Sequence, residues 1–214
     1  LNNYNHPIAK DYLLPLGRLR EPRSSSHRAH IVIYSKCPSE LKPIERRILS
    51  KEVELLPYQY LFFSTLKYKN LCPVFDNDIA EIRTDGLKNH NIVCLTGIAR
   101  PANFVAYLES KSTTVNHFKF PDHYNFRKKD IASVQKAFAN TAEPKLIIVT
   151  EKDAVRLKSD ELFDEEFKKY VYCIPIEVEL LCSEEERKHF DNQIFSYVRN
   201  NKRYSKLYKN AYSG

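Results

Sequence analysis

The sequence predicts an α/β fold: a layered, largely parallel sheet flanked by helices. Three observations carry that expectation. From residue 91 to residue 199, short apolar runs alternate with amphipathic stretches, the rhythm of strand–helix–strand units. Two of the runs, NIVCLTG (91–97) and KLIIVT (145–150), are apolar almost throughout, as strands covered on both faces must be. The stretches between them place apolar side chains at helical rather than alternating spacing.

Each element has its own local reason. HIVIYSK (30–36) is a β-branched run and reads as a strand, as does QYLFFSTLKY (59–68). Between them Pro38 and Pro43 interrupt the chain, and IERRILSK (44–51) reads as a short helix. CPVF with the polar residues after it (72–78) reads as a loop or hairpin, and residues 1–29, with three prolines, as an extended looping segment. NIVCLTG ends at a glycine, and PANFVAYLES (101–110) begins with proline, a favoured opening residue for a helix. TTVNHFKF (113–120) alternates as a half-covered strand does. KKDIASVQKAFAN (128–140) sets Ile131, Val134 and Phe138 on one helical face. After KLIIVT, Thr150 and Asp153 have the spacing of a capping box opening another helix. VYCIPIEVEL (171–180) reads as one strand. SEEERKHFDNQIFSYVR (183–199) reads as a long helix capped by Ser183 and Glu186, with Phe190, Ile194 and Val198 on one face.

Composition narrows the function classes. The chain has 214 residues, 43% hydrophobic and 29% charged, which suits a folded core rather than disorder. No apolar run reaches the ~18 residues of a membrane-spanning helix. The five cysteines are odd in number and contain no C-x-x-C pair, which argues against a disulfide framework or a zinc site. The formal charge of +7 suits a polyanionic partner or simple solubility. Only four glycines are present, and neither a G-x-x-x-x-G-K-[ST] loop nor a G-x-G-x-x-G turn can be written from them.

In parallel sheets, ligands gather beyond the carboxyl ends of the strands. Three polar segments fall there: TGIARP (96–101), Asp122-His123, and TEKD (150–153). Asp122-His123, inside FPDHYNF (120–126), reads as an acid–base pair or as a surface turn. Arg100 at a helix entry reads as an anion contact or a solvated side chain. Lys152 remains a candidate phosphate contact once the cap accounts for Thr150 and Asp153. Near the start, LLPLGRLREP (13–22) offers Arg20 for phosphate oxygens and Glu21 for a metal ion, or else a surface loop with an Arg–Glu ion pair. RNNKRYSKLYKN (199–210) interleaves basic and aromatic residues and reads as a nucleic-acid or lipid-headgroup contact, or a frayed tail.

Taken in order, LLPLGRLREP, RAHIVIYSKCP, TGIARPANF, FPDHYNF and IIVTEKDAVRL resemble the tetraacyldisaccharide 4'-kinase family of lipid A biosynthesis. The resemblance covers most of residues 4–180. It implies a P-loop-type lipid kinase with two α/β lobes and the active site between them. Its reaction would be Mg2+-dependent transfer of the ATP γ-phosphate to the 4'-hydroxyl of a lipid A disaccharide 1-phosphate precursor. It implies peripheral attachment to the cytoplasmic face of the inner membrane, and no nucleic-acid partner. His123, with Asp122, matches the family histidine that helps activate the sugar hydroxyl together with a first-lobe aspartate. Arg20 and Glu21 match the string facing phosphate and metal. The family's Gly-rich P-loop and Asp-Asp metal motif precede that string and have no counterpart in this sequence. The expectation is therefore a C-terminal portion, inactive by itself and partnered by an N-terminal P-loop lobe. Residues 1–70 would be the remainder of the first lobe with the linker, and residues 71–214 the C-terminal α/β lobe. The competing reading is a non-catalytic basic α/β module that binds nucleic acid or anionic lipid.

Overall fold

A computed structural model describes residues 1–75, 80–159 and 162–200. The chain folds as two units, one of residues 1–66 with 178–200 and the other of residues 67–177.

The first unit holds β1 (Asn2–Asn3), β2 (Ile31–Ser35), α1 (Pro43–Val53) and the start of β3 (Tyr60–Tyr68). β1 pairs parallel with β2, and β2 parallel with β3 in the register Ile31↔Tyr60. Residues 1–29 are less featureless than expected. Besides β1 they form two 3-10 turns, Ile8–Lys10 and Arg23–Arg28. α1 opens on Pro43, and the Glu45 carboxylate accepts from the Lys42 amide at 2.8 Å, satisfying a donor left free at the helix start. The core is Tyr34, Cys37, Leu41, Leu49 and Phe63.

The second unit contains β4 (Cys72–Pro73), β5 (Asn91–Thr96), α2 (Ala102–Lys111), β6 (Thr114–Lys119), α3 (Lys128–Ala139), β7 (Lys145–Thr150), α4 (Glu151–Ser159), the short α5 (Glu165–Lys168) and β8 (Val171–Ile174). Its sheet runs β4-β8-β7-β5-β6, parallel except for the β4–β8 pair. Helices cover both faces. Phe104 and Leu108 of α2 pack with Ile92, Cys94, Leu146 and Ile148. Ile131, Val134 and Phe138 of α3, with Ala154 and Leu157 of α4, pack with Val93, Leu95, Ile147 and Val149 on the other. Burial on both faces explains why β5 and β7 read as unbroken apolar runs. Each of their large aliphatic side chains contributes roughly 1.5–3 kcal/mol.

The stretch expected to be one strand at 171–180 is two. β8 ends at Ile174, and β9 (Ile176–Leu180) lies beside β3 in the other sheet. Pro175 separates them, and a residue without an N–H cannot continue a ladder. The expected division placed residues 71–214 in one lobe, whereas the chain returns to the first unit at Val178. There α6 (Glu184–Asn200) is capped as anticipated: the Ser183 amide donates to Glu186 at 2.8 Å, and the Glu186 amide to the Ser183 hydroxyl at 3.2 Å. Phe190 packs edge-on against Phe62, but Ile194 and Val198 are exposed. Residues 201–210 of the basic, aromatic C-terminal stretch lie outside the described residues.

Candidate functional site at the switch point of the second sheet

From β5 the chain moves through α2 to β6 on one side. From β7 it moves through α4 to β8 on the other. The carboxyl ends of β5 and β7 are therefore a topological switch point, where the two connections diverge and where such sheets commonly take ligands. Gly97 follows β5, and Thr150 ends β7.

Asp153 joins the two ends. It is fully buried. Its Oδ2 accepts from the Gly97 amide at 3.0 Å and from the Thr150 hydroxyl at 2.6 Å. The Thr150 hydroxyl in turn accepts from the Asp153 amide at 3.2 Å. The capping spacing is thus realised at Thr150, while the carboxylate also clamps a backbone amide 56 residues away. Gly97 is needed for this closeness. A Cβ there would lie 3.1 Å from Asp153 Oδ1 and 3.1 Å from Phe126 Cζ. Beneath the clamp, burial and then the Asp153 carboxylate push the Cys94 thiol well above its usual range, so Cys94 stays a protonated apolar filler.

Arg156, one turn along α4, completes the network. Its Nη1 lies 3.2 Å from Asp153 Oδ1 and donates to the Gly97 carbonyl at 3.2 Å, while Nη2 reaches His123 Nδ1 at 3.0 Å. The sequence reading passed over Arg156. Its spacing of three from Asp153 on a predicted helix was the available signal.

His123 sits at the tip of FPDHYNF. Phe120, Tyr124 and Phe126 pack against one another and onto the core below. The Tyr124 hydroxyl donates to Asp130 at 3.1 Å, tying the loop to the start of α3, and burial and then that bond raise its pKa. Asp122 and His123 are left outside this frame. The His123 amide donates to the Gly97 carbonyl and to Asp122 Oδ1, both at 3.1 Å, and its φ of 57° is left-handed. Its side chain is 78% exposed, with Nε2 3.8 Å from Asp122 Oδ2. The stretch is therefore a surface turn, and it carries Asp122 and His123 side by side and exposed.

Arg100 and Lys152 leave from the same edge of the sheet, in the β5–α2 connection and the first turn of α4. Both are exposed, and neither forms an ion pair with a described residue. At the end of β5, the Thr96 hydroxyl lies 2.8 Å from Nε2 of His117 on the neighbouring β6. Burial and then Lys119 lower the His117 pKa against the opposing pull of Glu109.

Arg20 and Glu21 belong to the first unit, on an exposed loop. Glu21 pairs with Arg28 at 2.7 Å. Among the described residues no cluster of three or more His, Cys, Asp or Glu side chains is placed to hold a metal ion. One ion-paired carboxylate does not make a Mg2+ site, which needs several oxygen ligands in octahedral geometry.

A parallel sheet wound in both directions from its switch point, with a charged network joining the strand ends there and a histidine beside it, places the chain among the doubly wound α/β proteins. The family described as Tetraacyldisaccharide-1-P 4'-kinase matches residues 1–196, and the chain belongs to it. A tetraacyldisaccharide 4'-kinase of Phocaeicola vulgatus is 42% identical over 206 residues, covering 96% of this chain and 56% of that protein. That of Bacteroides thetaiotaomicron is 39% identical over 213 residues, with the same coverage. That of Flavobacterium johnsoniae is 32% identical, covering 94% of this chain and 54% of that protein. The chain thus spans about half the length of the relatives it matches. Among solved structures, LpxK of Aquifex aeolicus in complex with ATP superposes with a TM-score of 0.54 at 23% identity, covering 90% of this chain and 50% of that one. That likeness bears out the layered α/β fold.

Proposed function

We propose that the chain is part of an ATP-dependent kinase that phosphorylates the 4'-hydroxyl of a lipid A disaccharide 1-phosphate precursor, and that it is inactive by itself. The observation that carries this reading is the Asp122-His123 pair, held out by an aromatic frame at the sheet's switch point in a member of this kinase family. His123 would contact the sugar hydroxyl and orient it for attack on phosphorus. Asp122 would fix the turn through the His123 amide. Arg100 and Lys152, exposed at the same edge, would receive anionic oxygens of the substrate. Arg20 would stabilise charge on the transferred group.

ATP would supply the phosphoryl group. The described residues do not fit a Mg2+ site, so Glu21 is proposed as a metal contact only within a longer chain that brings further ligands. A P-loop lobe is the partner this reading requires. Attachment would be peripheral, on the cytoplasmic face of the inner membrane. No described helix is long and apolar enough to cross a membrane, and the positive charge suits an anionic lipid surface.

The test is phosphate transfer from radiolabelled ATP to the disaccharide 1-phosphate lipid by a chain of the relatives' full length. His123→Ala should lower the rate by about 10²-fold, the scale of a lost positioning contact. Equal rates for the variant would remove His123 from the chemistry, and no transfer by the full-length chain would overturn the proposed activity.

A further inference from the structure

We infer that Arg156 is a positioning residue that fixes the tautomer of His123, so that the imidazole presents a protonated Nε2 at its exposed edge. This deepens the kinase reading and rests on it only for its catalytic consequence.

A guanidinium can donate hydrogen bonds but has no lone pair to accept one. Arg156 Nη2 lies 3.0 Å from His123 Nδ1, so Nδ1 must be the acceptor. In the neutral ring the proton then resides on Nε2. The tautomer is set by the partner of the other nitrogen, as the carboxylate of a catalytic triad sets it from the opposite direction. Here a cation takes that place. The exposed Nε2 is therefore a donor, and it cannot take a proton from the sugar hydroxyl without releasing Arg156.

Arg156 is itself held. Nη1 is engaged by Asp153 Oδ1 and by the Gly97 carbonyl, both at 3.2 Å, and the Asp153 side chain is fully buried. The Gly97 carbonyl also accepts from the His123 amide. One guanidinium thus ties the end of β5, the first turns of α4 and the His123 ring into a single unit. A lysine would not reproduce it, because its three N–H donors radiate from one atom on a flexible stem rather than from the spaced nitrogens of a planar fork. In the proposed reaction, His123 would donate from Nε2 to an oxygen of the substrate or to a carboxylate, orienting it.

The first measurement uses this chain, labelled with 15N, and needs no turnover. Long-range 1H–15N spectra taken where the ring is neutral report which nitrogen of His123 carries the proton. The exposed His27 of the same chain serves as the reference. The expected result is an Nδ1 unprotonated and shifted by an accepted hydrogen bond, with the Nε2–H form more populated than in His27. In Arg156→Lys both differences should disappear. A His123 tautomer mixture indistinguishable from that of His27 in the unmodified chain would overturn the inference, even if the variant failed to fold.

The second measurement uses the full-length kinase. Arg156→Lys should lower kcat by about 10–100-fold, the scale of a misplaced catalytic group, with KM little changed. In a His123→Ala background the same change should cost less than about 2-fold, because the two residues act as one unit. Equal losses in both backgrounds would show a purely structural role and overturn it. If the full-length protein transfers no phosphate, the kinase reading fails, while the spectra still decide the tautomer.

Discussion

Replacing Asp153 by asparagine should destabilise the second unit by about 2–4 kcal/mol. The carboxylate is fully buried and engaged on both oxygens: Oδ2 by the Gly97 amide and the Thr150 hydroxyl, Oδ1 by Arg156. An asparagine oxygen can keep the Gly97 and Thr150 partners, but its amide nitrogen then faces the guanidinium, donor against donor. Breaking a buried ion pair by removing one partner costs roughly 3–5 kcal/mol. Arg156 keeps 24% of its side-chain surface exposed, so water restores part of its solvation, which brings the expectation down. Urea unfolding followed by far-UV circular dichroism measures the change. With a slope of about 2 kcal/mol per molar, the midpoint of the transition should fall by about 1–2 M. Hydrogen exchange in β5 and β7 should accelerate in parallel, because the clamp joins their carboxyl ends. A midpoint shift below about 0.3 M with unchanged slope would refute the reasoning, since it would mean that the Asp153–Arg156 pair contributes nothing net.

Protonation of His117 should weaken the fold. Its folded pKa lies below the ordinary 6.5, so the unfolded chain binds the proton more readily. The stability involved is present above about pH 6.5 and is lost as the pH falls below it. The melting temperature should drop from pH 7 to pH 5, and His117→Gln should flatten that slope. Ser183→Ala removes the acceptor of the Glu186 amide at the start of α6 and should cost about 0.5–2 kcal/mol, read as a lower melting temperature with the fold retained.

How far the sequence carried depended on whether a feature was local. β7 was legible to the residue because four successive side chains, Leu146 to Val149, are apolar and both faces of the strand are covered. The caps at Thr150 and Ser183 were legible because capping is a matter of three-residue spacing. FPDHYNF was legible as a turn bearing a titratable pair. The break at Pro175 had its signal in the proline itself, but strand-like residues on both sides concealed that the two halves join different sheets. The Asp153–Gly97 bond was not legible, because it joins residues 56 apart through a strand order that no local pattern records. Arg156 was passed over for the same reason: its helical partner was in view, and its contact with His123, 33 residues away, was not. The pairing of Glu21 with Arg28 rather than Arg20 depends on a 3-10 turn that polar, proline-containing sequence does not specify.

The backbone at His123 separates folding from function. A side chain at φ 57° gives up roughly 1–2 kcal/mol relative to glycine, which occupies that region without penalty. The turn's own bonds, from the His123 amide to the Gly97 carbonyl and to Asp122 Oδ1, do not involve the ring and would survive its removal. The imidazole is 78% exposed, so it contributes little burial to offset the strain. A fold selected for stability alone would favour glycine at this position. His123→Gly should therefore leave the melting temperature of this chain unchanged or raise it, while in a chain of the relatives' full length it should lower the proposed phosphate transfer as far as His123→Ala does. A clear loss of stability in His123→Gly would mean that the Arg156 contact holds the fold together at this edge. The strained histidine would then be a structural strut rather than a group maintained for its chemistry.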